Sequence, residues 1–226
     1  MANKVELCTD FPAPGLRNPF RYITGHNGNG DAVFLQGEEN PGLLCASLPT
    51  AERIGFMIAD VLVGQTDHGD HRDIMVGGLG AQNVFYSSSG NPIELTGDVD
   101  LEFAKQKPSL HIPQGCVVRM IDFTPGAASG MHRALTLGIA TVCEGEIELS
   151  LGSGEARILR PGDVSINRGA MHKWRNVSNE KPARILFVML DVKPIIVNGK
   201  ALEFDVGDLM KEYADYAEDE GPNKKE

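Results

Sequence analysis

The sequence predicts an all-β protein: an antiparallel β-barrel or jelly roll with an N-terminal extension of extra strands and a short C-terminal helix. Three observations point there. Short apolar or alternating runs recur along most of the chain, and such runs suit strands with one buried face. Turn residues separate them, as in Pro125-Gly126, Glu144-Gly145, Gly152-Ser153-Gly154, Pro161-Gly162, Arg168-Gly169 and Asn198-Gly199, and these supply the fixed or positive φ of tight turns. Helical spacing of apolar residues stands out only near the C-terminus. With 226 residues and 42% apolar content there is enough hydrocarbon for a sizeable core.

Taken in order, strands are expected over 21–24, 32–35, 54–63 and 83–86, within an extension spanning 1–108 that pads the barrel and covers its mouth. The same extension carries the polar loops GHNGNGD, TDHGDHRD and SSSGN. The barrel, 109–204, takes strands over 116–123, 138–143, 147–151, 156–159, 163–166, 172–176, 183–190 and 195–197. The last part, 205–226, holds a helix over 208–218, with Leu209, Tyr213 and Tyr216 on one stripe and Asp208 as its cap, and then a disordered GPNKKE tail.

Composition narrows the function classes. Lys plus Arg number 21 against 31 for Asp plus Glu, a net charge of -10, and no basic run is long enough to follow a phosphate backbone, which argues against nucleic acid as a partner. No stretch approaches the ~20 apolar residues that span a bilayer, and MANKVELCTDFPAPG lacks a secretion signal, so a cytoplasmic protein is expected. Cys8, Cys45, Cys116 and Cys143 are widely spaced with no CxxC, as suits reduced thiols.

Two ordered motifs carry the chemistry. Gly126, His132 and Gly145 form the first, and Gly162, His172 and Asn176 the second. In this order they resemble the cupin family, whose motifs G…HxH…E…G and G…P…G…H…N bring two His, a Glu and a final His onto Fe, Mn, Ni or Zn inside a barrel. The wording GMHRALTL, LRPGDVSINRGAMHKWRN and ARILFVMLD is similar to fungal cupins of polyketide pathways, and the similarity spans 21–200. The chain departs from the pattern at Ala134, where a second His is usual, and at Gly138, where an acid is usual. Of the four ligands the resemblance implies, His132 and His172 remain. A homodimer is a further implication of the resemblance.

Two neutral imidazoles alone leave a cation short of ligands and of compensating charge, so no cofactor is expected, with Fe, Ni, Mn or Zn on His132 and His172 as the alternative. His132 and His172 are then the candidate catalytic acid and base. On a strand, alternate residues share a face, so Trp174 follows His172 inward and Ala134 follows His132. Trp174 either fills core volume or stacks on a planar substrate. Arg119, inside an apolar strand, needs an anion or an edge, and a substrate carboxylate is one partner. Arg133 and Arg175 fall on the outward parity. Trp174, Arg119, Arg133, Ala134 and Gly138 make up the candidate substrate contacts. His68 and His71 read as a hydrated loop, while His26 and His111 read either as loop residues or as residues that the N-terminal segment delivers to the barrel mouth, and Tyr22 shares that ambiguity.

These residues suggest a small-molecule enzyme of specialised metabolism running cofactor-independent lyase or isomerase chemistry, with decarboxylation of a compact carboxylated or aromatic substrate as the specific expectation. A metal-dependent dioxygenase or oxidase is the second reading, and a non-catalytic ligand-binding protein the third.

Overall fold

The computed structural model describes residues 6–19, 21–34, 71–205 and 207. The expected strand over 54–63, His68, Cys45 and the C-terminal helix and tail lie outside the described residues. Strands β1 (Thr24–His26) and β2 (Ala32–Phe34) form a hairpin across GHNGNGD, where the Asn27 carboxamide oxygen accepts from the backbone N–H groups of Asn29 and Asp31. Then come β3 (His71–Ile74), β4 (Gly80–Ser88) and a single-turn-and-a-half helix, α1 (Val99–Ala104). The rest is strand: β5 (Cys116–Phe123), β6 (Thr136–Glu144), β7 (Ile147–Leu151), β8 (Ala156–Leu159), β9 (Val164–Arg168), β10 (His172–Asn176), β11 (Ala183–Asp191), and the short pair β12 (Ile196–Val197) and β13 (Lys200–Ala201).

Two antiparallel sheets face each other, one six-stranded in the order β3-β4-β5-β11-β6-β9 and one three-stranded in the order β10-β7-β8. Register decides which side chains meet. In the large sheet Val84, Arg119, Phe187, Ala140 and Ser165 lie in one cross-strand row, and Met189, Gly138 and Asn167 in the next. Val117, Phe123, Ala140, Val142, Ile185 and Phe187 of that sheet pack against Ile147 and Trp174 of the small one, forming the main core.

The sequence boundary at 108/109 cuts through this continuous sheet, because β3 and β4 extend it through the long β4–β5 ladder. His71 is a correction: HRDI forms edge strand β3 where a hydrated loop was expected, and its ring nitrogen Nε2 lies 3.1 Å from the Ala104 carbonyl. Charged side chains hide this strand, the last of the sheet among the described residues, from apolar periodicity. His26 likewise sits in β1, as the hairpin begins three residues later than the apolar pattern suggests. Helix α1 is too short to show a helical period, yet it brings Phe103 against the core.

The outer face of the large sheet is locked by a buried ion pair. Arg184 on β11 donates Nε and NH2 to the two carboxylate oxygens of Asp122 on β5, at 2.6 and 2.7 Å. The Ala13 N–H donates to the same carboxylate, and Arg184 NH1 donates to the Arg17 carbonyl. The N-terminal segment is thereby pinned across the sheet, with the buried Phe11 ring lying between the guanidinium groups of Arg72 and Arg184. Asn176 makes a second tie: fully buried, it donates Nδ2 to the carbonyls of Thr124 and Lys181 at 3.0 and 2.8 Å, joining β10 to the end of β5.

An Arg184→Met substitution strands the Asp122 charge in the interior, so the expected cost is about 3–5 kcal/mol, measured as a fall in the urea midpoint at constant slope. The double replacement Asp122→Leu/Arg184→Met strands no charge and costs less than Arg184→Met alone. It still falls short of wild type, because the Ala13 N–H and the Arg17 carbonyl then lose their partners.

Candidate active site

The site begins as a backbone event. Residues 128–132 run antiparallel beside β10, bridging Ala128 to Arg175 and His132 to His172. The segment therefore has one residue more than the strand it faces, the signature of a bulge. Ser129 sits in the bulge and restores the ladder with its side chain: its N–H donates to the Trp174 carbonyl and its hydroxyl oxygen accepts the Trp174 N–H, both at 2.9 Å. Past the bulge, His132 and His172 exchange N–H···O bonds of 2.8 Å in both directions. Directly opposed residues of such a pair project to the same side, and the two imidazoles stand with ring centroids 4.3 Å apart. Trp174, two residues along β10, follows on the same face and meets the His172 ring edge-on at 5.7 Å.

Each ring is then fixed by its own loop. His132 Nδ1 lies 2.9 Å from the Gly130 carbonyl and His172 Nδ1 lies 2.8 Å from the Ala170 carbonyl. A carbonyl only accepts, so both Nδ1 atoms carry the proton and donate. The Nε2 lone pairs are left for the cavity. Both loops are held in turn: the Ser129 hydroxyl donates to the Gly130 carbonyl, and the Asn167 carboxamide oxygen accepts the Ala170 N–H at 2.8 Å. Burial pushes the basicity of both rings down, and for His172 the neighbouring His132 adds to it, bringing its pKa to about 4. The resting pair is neutral near pH 7.

The rings line a cavity of about 770 Å³, counting the space of its open mouth. Its wall is mostly hydrocarbon, including Met75, Ile121, Phe123, Phe187 and Met189, with Ser129, Thr136 and Asn167 as polar members. Of the residues singled out from sequence, His132, His172, Trp174, Arg119, Ala134 and Gly138 all line this cavity. Arg133 does not: its backbone pairs with Asp205 and its NH1 donates to the Glu203 carbonyl. That corrects its place among the substrate contacts, for the outward parity next to His132 leaves it no route inward. Arg175 also faces away and pairs across strands with Glu148 at 2.9 Å. Tyr22 is exposed against Phe34, and His111 lies 4.0 Å from Asp191, outside the cavity wall.

Arg119 has a different environment from the one its sequence position suggests. It is 3% exposed, and its terminal nitrogens donate to Gln82 Oε1 and to the carbonyls of Ser109 and Leu110 at 3.3, 3.3 and 3.0 Å. Sequence reasoning passed over Ser129, Asn167 and Thr136. A hydroxyl or carboxamide bonded to a loop backbone leaves no periodic trace, and only the motif spacing around His132 and His172 pointed toward them.

The resemblance implies a metal, and the donor set tests it. Among the described residues no three His, Cys, Asp or Glu side chains come together in a way that holds an ion. Glu144 and Glu146 do not line the cavity, and Glu146 pairs with Arg160 on the surface. Two bare imidazole nitrogens supply two of the three protein ligands that a catalytic metal site uses. The described residues therefore do not fit a protein-held metal.

A family model described as a cupin domain matches residues 119–189. The cupin-domain-containing oxidoreductase srdB of Neurospora crassa is 62% identical over 218 residues, 96% of this chain and 96% of its own length. The cupin-domain-containing oxidoreductase virC of Hypocrea virens is 43% identical, covering 83% of this chain and 84% of its own. The phomopsin biosynthesis cluster protein D of Diaporthe leptostromiformis is 34% identical, covering 84% of this chain and 87% of its own.

The depressed His172 pKa has a thermodynamic consequence. The unfolded chain takes up this proton near pH 6.5 and the folded protein only near pH 4. Stability is thus expected to fall as pH drops between these values and to level off below them, by about 3 kcal/mol for this residue. Urea unfolding of wild type and His172→Gln across pH 7 to 4 checks it: the substitution is expected to flatten the acid limb.

Proposed function

The chain belongs to the cupin family, and from that premise we propose that it is an enzyme of fungal specialised metabolism in which His132 and His172 shuttle a proton on a small substrate. The phomopsin cluster relative and the two relatives named oxidoreductases support an enzyme of biosynthesis. The observation that carries the chemistry is the shared tautomer: both Nδ1 atoms are committed to backbone carbonyls, leaving two Nε2 acceptors at one cavity. A neutral imidazole is a competent base, and here the hydrocarbon wall keeps competing water away from it.

One Nε2 takes a proton from a hydroxyl or from carbon next to a carbonyl. The neighbouring ring, too close to accept a second charge, stays neutral and can share the first. The proton then returns to another atom of the substrate, giving isomerisation, or to a leaving hydroxyl, giving dehydration. Decarboxylation, the specific expectation from sequence, needs an anion anchor, and the terminal nitrogens of Arg119 are already held by Gln82, Ser109 and Leu110. Proton shift or dehydration is therefore the better reading within lyase and isomerase chemistry.

Metal-dependent oxidation is the second reading, favoured by the names of the two oxidoreductase relatives. It requires a third donor beyond those described. Elemental analysis of the purified protein separates the two: stoichiometric metal whose removal abolishes turnover supports oxidation, whereas undiminished turnover of metal-free protein supports the proton shuttle.

The direct test restores a fungal host lacking the gene with wild type, His132→Gln or His172→Gln. Either substitution is expected to lower product formation about 10²–10⁴-fold, and wild-type turnover in D2O is expected to place solvent deuterium in the product if the reaction is an isomerisation and none if it is a dehydration. Full product from either variant would count against the reading.

A further inference from the structure

The wall opposite the imidazoles contains a glycine that the fold does not require. Gly138 lies mid-strand in β6, between Met189 of β11 and Asn167 of β9, and all three line the cavity. Its φ lies outside the left-handed region. A Cβ added there meets nothing nearer than Asn167 Cβ at 3.8 Å and the Asn167 carbonyl at 3.9 Å, which is ordinary contact. Glycine in a strand interior gives up side-chain packing and favourable backbone entropy. Neither turn geometry nor crowding accounts for it, so what the position supplies is room. Ala134 and Ala140, also on the wall, are further small residues on this parity.

The charge environment of that room is equally restrictive. His132 and His172 offer lone pairs there, since their Nδ1 protons are directed to Gly130 and Ala170. Arg119, the cation of the wall, has its two terminal nitrogens bound to protein oxygens, and its Nε has no partner yet is sealed from solvent. An anion placed before the imidazoles would face two lone pairs, and among the described residues the terminal N–H groups of Arg119 are already taken by neutral oxygens, which leave its charge in place but no arginine donor for the anion. A hydroxyl group is complementary to the same lone pairs, because it brings the hydrogen that they lack.

From this we infer that the site takes an uncharged, carbon-rich substrate that presents a hydroxyl group to the imidazoles and fills the gap over Gly138 with hydrocarbon, and that it rejects carboxylates. Gly138 is then a specificity-determining residue. The inference rests on the His132–His172 reading for its substrate end, but it concerns binding, so it is measured without turnover.

Trp174 is the chain's single tryptophan and lines the cavity, so its emission reports occupancy. The probes are 4-butylphenol and 4-butylbenzoate, alike in bulk and opposite in charge at pH 7.5. Saturable quenching is expected with the phenol, and binding at least tenfold weaker with the benzoate. Gly138→Val is expected to weaken phenol binding tenfold or more, with Gly138→Ala intermediate, while melting temperatures hold or rise. If Gly138→Val fails to fold, Gly138→Ala decides on the same criterion. Equal or tighter binding of the benzoate, no saturable binding of the phenol, or variant affinity equal to wild type would each overturn the inference. A chain that binds the phenol as expected but keeps full turnover in His172→Gln would instead sink the proton-shuttle reading and leave the specificity intact.

Discussion

The reciprocal backbone hydrogen bonds between His132 and His172, both 2.8 Å long, are the constraint on which the site depends. A pair of this kind fixes two Cα positions and sends both side chains to one face. The rings therefore meet with no need for a metal to gather them. Their closeness, shared burial and lowered basicity all follow from that one cross-strand register. The bulge at Ser129 sets the register, since a strand without the extra residue would carry His132 to the opposite face.

The sheet disposes of its two buried arginines in different ways, and the difference separates stability from function. Arg184 and Arg119 lie on neighbouring strands but on opposite faces of the large sheet. Arg184 has a carboxylate partner, Asp122, and together they hold the N-terminal segment against the outside. Arg119 on the cavity side has only neutral oxygens around it, from Gln82 and the backbone of 109 and 110. Its guanidinium closes the loop that leads into β5, anchoring the cavity wall. A cavity built this way has a rigid boundary in which the Arg119 cation is held by the protein's own oxygens. Its interior favours neutral hydrocarbon and makes each exposed lone pair matter more.

Much of the frame was legible in the sequence because it depends on parity. Four strands, β5, β7, β8 and β10, coincide with their apolar runs, and alternation put Trp174 on the face of His172, whose inward direction the motif resemblance implied. What stayed hidden depends on contacts that have no period. HRDI reads as a polar loop because an edge strand carries charge, and VDLEFA is too short for a helical stripe to emerge. Arg119 was singled out by its place in an apolar strand, but its saturation by Ser109 and Leu110 arises in a loop where no residue type announces it. The tautomers of His132 and His172 come from the carbonyls of Gly130 and Ala170, and a carbonyl is common to every residue.

A proton shuttle without a carboxylate companion has a limited repertoire, and that limit bears on the relatives' names. Moving one proton from one atom of a substrate to another leaves its overall oxidation level unchanged, and so does expelling water. An oxidation needs two electrons to go elsewhere, and the described part of the cavity wall, made of hydrocarbon, two imidazoles, Arg119 and a handful of neutral polar groups, does not itself supply their acceptor. Any oxidation at this site would require an electron acceptor beyond the described side chains, either a bound metal or a co-substrate. The imidazole pair would serve that reaction in the same role, taking the proton that leaves as the electrons depart. The arrangement of His132 and His172 thus constrains the proton under either chemistry, and the fate of the electrons is what distinguishes the two.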